Sequence, residues 1–305
     1  MVSDFTLEQI RKLRVKMRHQ NRSQEFNLKF QIPTVGETCD MLQKMMEEIK
    51  EQQSRSWEKQ EWLEARNEYV LEHGYARGNL DCGLYIETKR PSWYRSIGLP
   101  LEEKLVEAVE QSNFNGKIII QSFELDSLAR IEELKPEWPT VKLMTKEDVD
   151  TLMMNDGDLE AYLKHLKGLG LSGIGPSKLS IIPDASNPPE CSILIEGKLS
   201  DTFTLVCVAT VCYIYILYIM HIDDTTDMFS PEAHKQGLFV HPYTFKSDVM
   251  HLDGIYGGNA SQEFGRFFKL GVDGVFADFP GHAVFARELY NRARLQGREF
   301  EFMRV

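Results

Sequence analysis

The chain has no CxxC pair. Its cysteines are five, an odd number: Cys39, Cys82, Cys191, Cys207 and Cys212. Neither a disulfide framework nor a cysteine zinc site follows from them, and a reduced interior is the favoured context. Positive charge is also in short supply. Thirty-five Lys and Arg face 46 Asp and Glu, for a formal net charge of -11. A nucleic-acid binder would show a basic patch or stripe, so that class is disfavoured. Cationic partners, a metal site or a merely solvated acidic surface stay compatible. The opening stretch MVSDFTLEQIRKLRVKMR lacks the apolar core of a secretory leader, which favours a cytoplasmic location for the chain as read.

Long apolar runs are scarce, and one stands out. Phe203–Met220, FTLVCVATVCYIYILYIM, is uncharged. Its length is at the lower edge for a membrane helix, roughly 18 residues. Its Val, Ile, Tyr and Thr favour strand over helix, and little Lys or Arg flanks it to set an orientation. Membrane association through 203–220 is therefore open but not favoured. The other readings are a hydrophobic insertion on the outside of the domain and a gene-model error.

What is there is ordinary for a globular protein: 305 residues, 42% hydrophobic and 27% charged, enough to bury a sizeable core. Asp4 or Thr6 can cap a first helix with Phe5, Leu7, Ile10, Leu13 and Met17 as its apolar face. Pro33-Thr34 opens a second helix reaching roughly Lys50, and polar helical sequence continues beyond it. From Gly83 short apolar runs alternate with helical segments: GLYIETK, GKIIIQSFE, TVKLM, KLSIIPD, GLFVHPYTF and GVDGVFADFP. Strands separated by helices argue βαβ units and a parallel sheet, hence an open doubly wound fold or a barrel. Polar residues cluster where the runs end: Glu87, Lys89, Gln121, Ser122, Asp184, His241, Tyr243 and Asp278. Ligands of α/β folds sit at such strand ends. Taken alone, His241 reads as a buried, satisfied histidine; six runs of the same design favour a shared mouth.

The ordered series LYIETKRPSWYRSIGLPLEEKL, IIIQSFELDSL, SGIGPSK, GLFVHPYTF and FFKLGVDGVFADFPGHAV, preceded by FTLEQIRKLRV and FQIPTVGET, resembles the glycerophosphodiester phosphodiesterase family. The resemblance implies an α/β fold of the TIM-type (β/α) barrel kind. Barrel strands three to eight are present, the first two are lacking, and an apolar insertion precedes the strand carrying His241. A single domain over 1–305 is expected. Residues 1–50 form its N-terminal helical part, 51–82 a polar helical insert, 83–200 and 223–295 the barrel units, and 201–222 the apolar insertion.

The resemblance further implies metal-assisted hydrolysis of glycerophosphodiesters to glycerol 3-phosphate and an alcohol. Glu87 would be a metal ligand for a divalent cation, Ca or Mg. Lys89, two residues on and on the same face, would contact phosphate, with Gln121, His241 and Tyr243 as further substrate-binding residues. Trp93 and Tyr94 could wall the alcohol or belong to the core. The family's His-Arg-Gly strand, Glu-x-Asp pair and second histidine have no match in this chain, so no catalytic residue is assigned. The alternative is a catalytically inactive relative, a binding module or a truncated gene model.

Overall fold

The computed structural model describes residues 2–55, 82–154, 158–182, 203–209, 213–219 and 232–295. Of the expected insert over 51–82, residues 56–81 lie outside the described residues, as does the strand-end Asp184. Eight strands form one sheet: β1 (Cys82–Glu87), β2 (Lys117–Ser122), β3 (Thr140–Met144), β4 (Gly173–Pro176), β5 (Phe203–Ala209), β6 (Tyr213–Ile219), β7 (Phe239–Val240) and β8 (Gly274–Ala277). Their order is β7-β4-β3-β2-β1-β6-β5-β8. The five strands from β7 to β1 run parallel.

The sheet's two ends meet. Phe245 and Ala277 form a parallel bridge. Around it the Phe245 N–H donates to the Phe276 carbonyl at 2.7 Å, and the Phe276 and Asp278 amides donate to Pro242 and Phe245 at 3.0 and 2.9 Å. The fold is thus α/β with a sheet closed into a barrel. The described parts of the apolar run, 203–209 and 213–219, are not helical: they are an antiparallel strand pair inside the sheet, with β6 antiparallel to β1 and β5 parallel to β8. Without it, β1 and β8 would each present a row of unpaired backbone groups. Among the described residues no helix is long and apolar enough to cross a membrane.

Helices cover the barrel: α1 (Leu7–Arg11), α2 (Val35–Arg55), α3 (Pro91–Ser96), α4 (Leu101–Glu110), α5 (Leu125–Leu134), α6 (Lys146–Met153), α7 (Asp158–Gly168), α8 (Lys178–Ile181), α9 (Glu232–Lys235), α10 (Ala260–Lys269) and α11 (Pro280–Leu295). Alternation along each strand sorts residues between two layers. Leu84, Ile86, Ile118 and Ile120 join Leu105, Leu128 and Ile131 in the layer under the helices. Tyr85, one residue out of step, meets Phe276 at 5.0 Å and His241 at 5.9 Å between ring centroids. These rings plug the inside of the barrel.

Three expectations need correction. The first helix stops at Arg11, although Thr6 caps it with Gln9 in a reciprocal box as expected. Beyond it the chain turns into an arm whose Val15 amide donates to Phe30 and whose Val15 carbonyl accepts from Leu28. Leu13 and Met17 are exposed rather than stacked on a helical face. KLSIIPD is not a strand: Lys178–Ile181 is helical, and the strand is the glycine-rich GIGP just before it. Glycine is required there by close packing. A Cβ on Gly173 would fall 2.3 Å from the Phe239 ring, and one on Gly175 2.8 Å from a Leu143 methyl. Finally, GLFVHPYTF keeps strand form only at Phe239–Val240.

Candidate functional site

A pocket of about 260 Å³ opens at the mouth of the barrel. Register builds it. Glu87 on β1 is paired with Gln121 on β2, and Gln121 with Val141 on β3, so the inner face of these strand ends is shared. Lys89 follows Glu87, and Leu143 follows Val141 by two residues. Tyr243, Thr244 and Lys246 arrive from the segment after β7, and Phe276 and Asp278 from the end of β8. The pocket thus gathers Glu87, Lys89, Gln121 and Tyr243. It also gathers Arg18 and Lys246, which strand-end reasoning did not single out.

Glu87 is 6% exposed, and the Lys89 ammonium stands 3.5 Å from its Oε1. Burial pushes the Glu87 carboxyl up from its usual range, and Lys89 opposes that. Gln121 is buried, and its Oε1 has no hydrogen-bond partner among the described residues. Such an atom is costly unless something donates to it. The Tyr243 hydroxyl donates to the Met144 carbonyl at 3.0 Å, and burial lifts its pKa to about 12. Its ring meets Phe123 edge-on at 6.0 Å, so Tyr243 offers a wall rather than a proton.

His241 does not line the pocket. It is 1% exposed, stacked on Phe239 at 4.3 Å, with Nδ1 3.2 Å from the Tyr85 hydroxyl. Period-two alternation would put His241, Tyr243 and Phe245 on one face, and that face is broken because the strand lasts only two residues. Phe245 turns outward against Phe264 and Phe267. Trp93 and Tyr94 on α3 pack edge-on with each other at 4.8 Å, away from the pocket lining.

Burial, then the His234 charge, push the His241 pKa down to about 3. A histidine depressed in the folded state binds fewer protons there than when unfolded. Its contribution is full above its ordinary value near 6.5 and is lost as pH falls toward 3. Between pH 6.5 and 5 one such proton costs roughly 2 kcal/mol of stability. His241→Gln keeps an acceptor for Tyr85 and removes the titration. Urea unfolding at both pH values should show this loss in the native protein and a smaller one in the variant. Equal losses would show that His241 is not the group responsible.

The donor set does not fit a resident calcium or magnesium ion held by Glu87. Such ions gather about six or more oxygens. Among the described residues no group of three or more His, Cys, Asp or Glu side chains is placed to hold a metal. Glu87 already faces an ammonium, and the other lining carboxylate, Asp278, is engaged by Arg22 at 2.7 Å.

No family model matches the chain. It is 25% identical over 301 residues to a glycerophosphodiester phosphodiesterase of Arabidopsis thaliana, covering 91% of this chain and 62% of that protein. It is 32% identical over 136 residues to a glycerophosphodiester phosphodiesterase of Bacillus subtilis, covering 40% of this chain and 44% of that protein. The chain therefore spans less than two thirds of each relative's length. Among solved structures, it is similar to a glycerophosphoryl diester phosphodiesterase of Parabacteroides distasonis at 15% identity and a TM-score of 0.37, covering 94% of this chain and 64% of that one. An Oleispira antarctica phosphodiesterase, solved with the product sn-glycerol-3-phosphate, is similar at 13% identity and a TM-score of 0.38, covering 66% and 53%. On the two sequence matches, the chain is similar to glycerophosphodiester phosphodiesterases.

Proposed function

We propose that the pocket at the barrel mouth is a phosphoester site and that the protein hydrolyses glycerophosphodiesters to glycerol 3-phosphate and an alcohol. The observation that carries this reading is the convergence of Glu87, Lys89, Gln121 and Tyr243 on one small pocket. Its lining holds three cations, Arg18, Lys89 and Lys246, against two carboxylates, Glu87 and Asp278. A phosphodiester brings one negative charge, which a preorganised cation offsets best out of bulk water. Gln121 Oε1 would accept from a glycerol hydroxyl. Phe123 and Tyr243 would bound the alcohol.

In hydrolysis water adds to phosphorus, the bond from phosphorus to the alcohol oxygen breaks, and that oxygen takes a proton. Glu87, whose carboxyl is displaced upward by burial, would give it, and the proton lost by the attacking water would return to the Glu87 carboxylate. No histidine is among the lining residues. Positioned proton transfer of that kind is worth about a hundredfold to ten-thousandfold. Turnover is therefore expected to be slow, and this same observation favours a second reading, binding without turnover.

A coupled assay for glycerol 3-phosphate released from glycerophosphocholine by the full chain separates the two. The first reading expects release below about 1 per second, lost in Glu87→Gln. Binding with no release above the blank would establish the second.

A further inference from the structure

We infer that Arg18 and Lys246 make this pocket prefer a phosphomonoester dianion to a phosphodiester monoanion, with Arg22 as the positioning residue for Arg18. The inference rests on reading the pocket as a phosphoester site, and it adds which phosphoester is held more tightly.

Glu87 is answered by Lys89, and Asp278 by Arg22. Among the described residues no ion pair engages Arg18 or Lys246. Arg18 Nε donates to the neighbouring His19 ring, 3.3 Å away. Arg22 is shared with Asp248, so Arg18, Arg22, Lys89 and Lys246 stand against Glu87, Asp248 and Asp278, and one net positive charge is left, carried to the pocket by the two cations without an ion pair. Burial and the charges of Arg22, Arg18 and Lys246 all depress the His19 pKa, and Asp278 opposes them. A phosphomonoester has a second pKa near 6 and is largely a dianion above pH 7. A diester carries one charge at any such pH.

Arg18 belongs to the arm after α1, not to the barrel. Arg22, four residues on, fixes that arm. Its Nη2 lies 2.5 Å from Asp248 Oδ2 and 2.7 Å from Asp278 Oδ2. Its Nε lies 3.1 Å from the same Asp248 oxygen. The guanidinium covers the Phe279 ring at 4.7 Å. Asn21 adds a bond to Asp248 Oδ1 at 3.1 Å, and the Met17 amide donates to Asn27 Oδ1 at 2.6 Å. The side chains of Arg22, Asp248 and Asp278 are 13%, 8% and 17% exposed. Near-burial strengthens these charge-assisted bonds relative to surface pairs. The clamp ties a segment near the N-terminus to the ends of the last barrel strands.

The test is calorimetric titration of the full chain with glycerol 3-phosphate and with glycerophosphocholine at pH 7.5 and low salt. Glycerol 3-phosphate should bind about tenfold more tightly, the worth of one extra charge pair in a partly screened site. Arg18→Gln and Lys246→Gln should each weaken it by about tenfold and shrink the preference, while Arg18→Lys keeps most of both. Arg22→Gln should weaken binding on its own, by releasing Arg18 and by uncovering Asp278, and should weaken it less once Arg18 is Gln, a non-additivity that a merely structural role would not produce. Equal affinity of the two ligands, or unchanged affinity in Arg18→Gln and Lys246→Gln, overturns the inference. Should a variant lose its thermal transition, the native protein decides through salt. The monoester must weaken more steeply with ionic strength, and equal slopes overturn the inference. Preference without hydrolysis would sink the phosphodiesterase reading and leave this inference standing. Hydrolysis with no preference would do the reverse.

Discussion

Lys89→Ala is expected to lower kcat/KM for glycerophosphocholine by about a hundredfold to a thousandfold, the usual loss for removing one preorganised charge-stabilising donor. Two effects combine. The ammonium that would face the phosphate disappears. The Glu87 carboxyl, 6% exposed, also loses the charge that holds its pKa down against burial. It would then spend more of its time neutral near pH 7, the form that gives a proton, so this second effect offsets part of the loss without reversing it. Lys89 itself is 45% exposed, so the pair contributes little to stability, and the melting temperature should hardly move. Lys89→Arg should recover part of the rate. Steady-state kinetics on the three proteins checks this. A loss of less than tenfold would remove Lys89 from the chemistry.

Phe245→Ala is expected to destabilise the fold by about 3–5 kcal/mol, the range for an aromatic truncated in a packed core. Phe245 is fully buried. Its ring stacks on Phe264 at 5.1 Å and meets Phe267 edge-on at 4.8 Å. Lys178 Nζ, paired with Glu263 at 2.6 Å, lies over it at 5.2 Å. The truncation opens a cavity on one side and removes the ring beneath a nearly buried ion pair on the other. Its backbone also joins the two ends of the sheet through the bridge to Ala277, so loosening there reaches the barrel closure. Urea unfolding measures the difference, and a loss under about 1 kcal/mol would mean the site collapses to fill the space.

Legibility in the sequence followed the range of the interactions. Glu87 and Gln121 could be read because each ends a run of β-forming residues. Parallel neighbours in register put both on the inner face. Tyr243 was readable from the same strand-end rule. His241 was not, since its neighbours Phe239 and Tyr85 come from two different strands, Tyr85 in turn meeting Phe276 on a third, and they turn a strand-end histidine into part of the barrel plug. β4 was hidden because Gly173 and Gly175 are chosen by what presses on them, Phe239 and Leu143, while the apolar KLSII beside it has the stronger strand composition. Arg18 carried no local signal either. Its place at the mouth depends on Arg22 meeting Asp248, 226 residues away in the chain. The antiparallel pair of β5 and β6 was legible as strand-forming, but its position between β1 and β8 follows from the unpaired edges that those strands would otherwise leave.

If Glu87, Lys89, Gln121 and Tyr243 surround one phosphoester, a crystal structure of the full chain with glycerol 3-phosphate should show it. The phosphate is expected within hydrogen-bonding reach of Lys89, about 2.7–3.2 Å, with a glycerol hydroxyl donating to Gln121 Oε1. A phosphate bound elsewhere, with Lys89 still turned to Glu87 and Gln121 untouched, would contradict it.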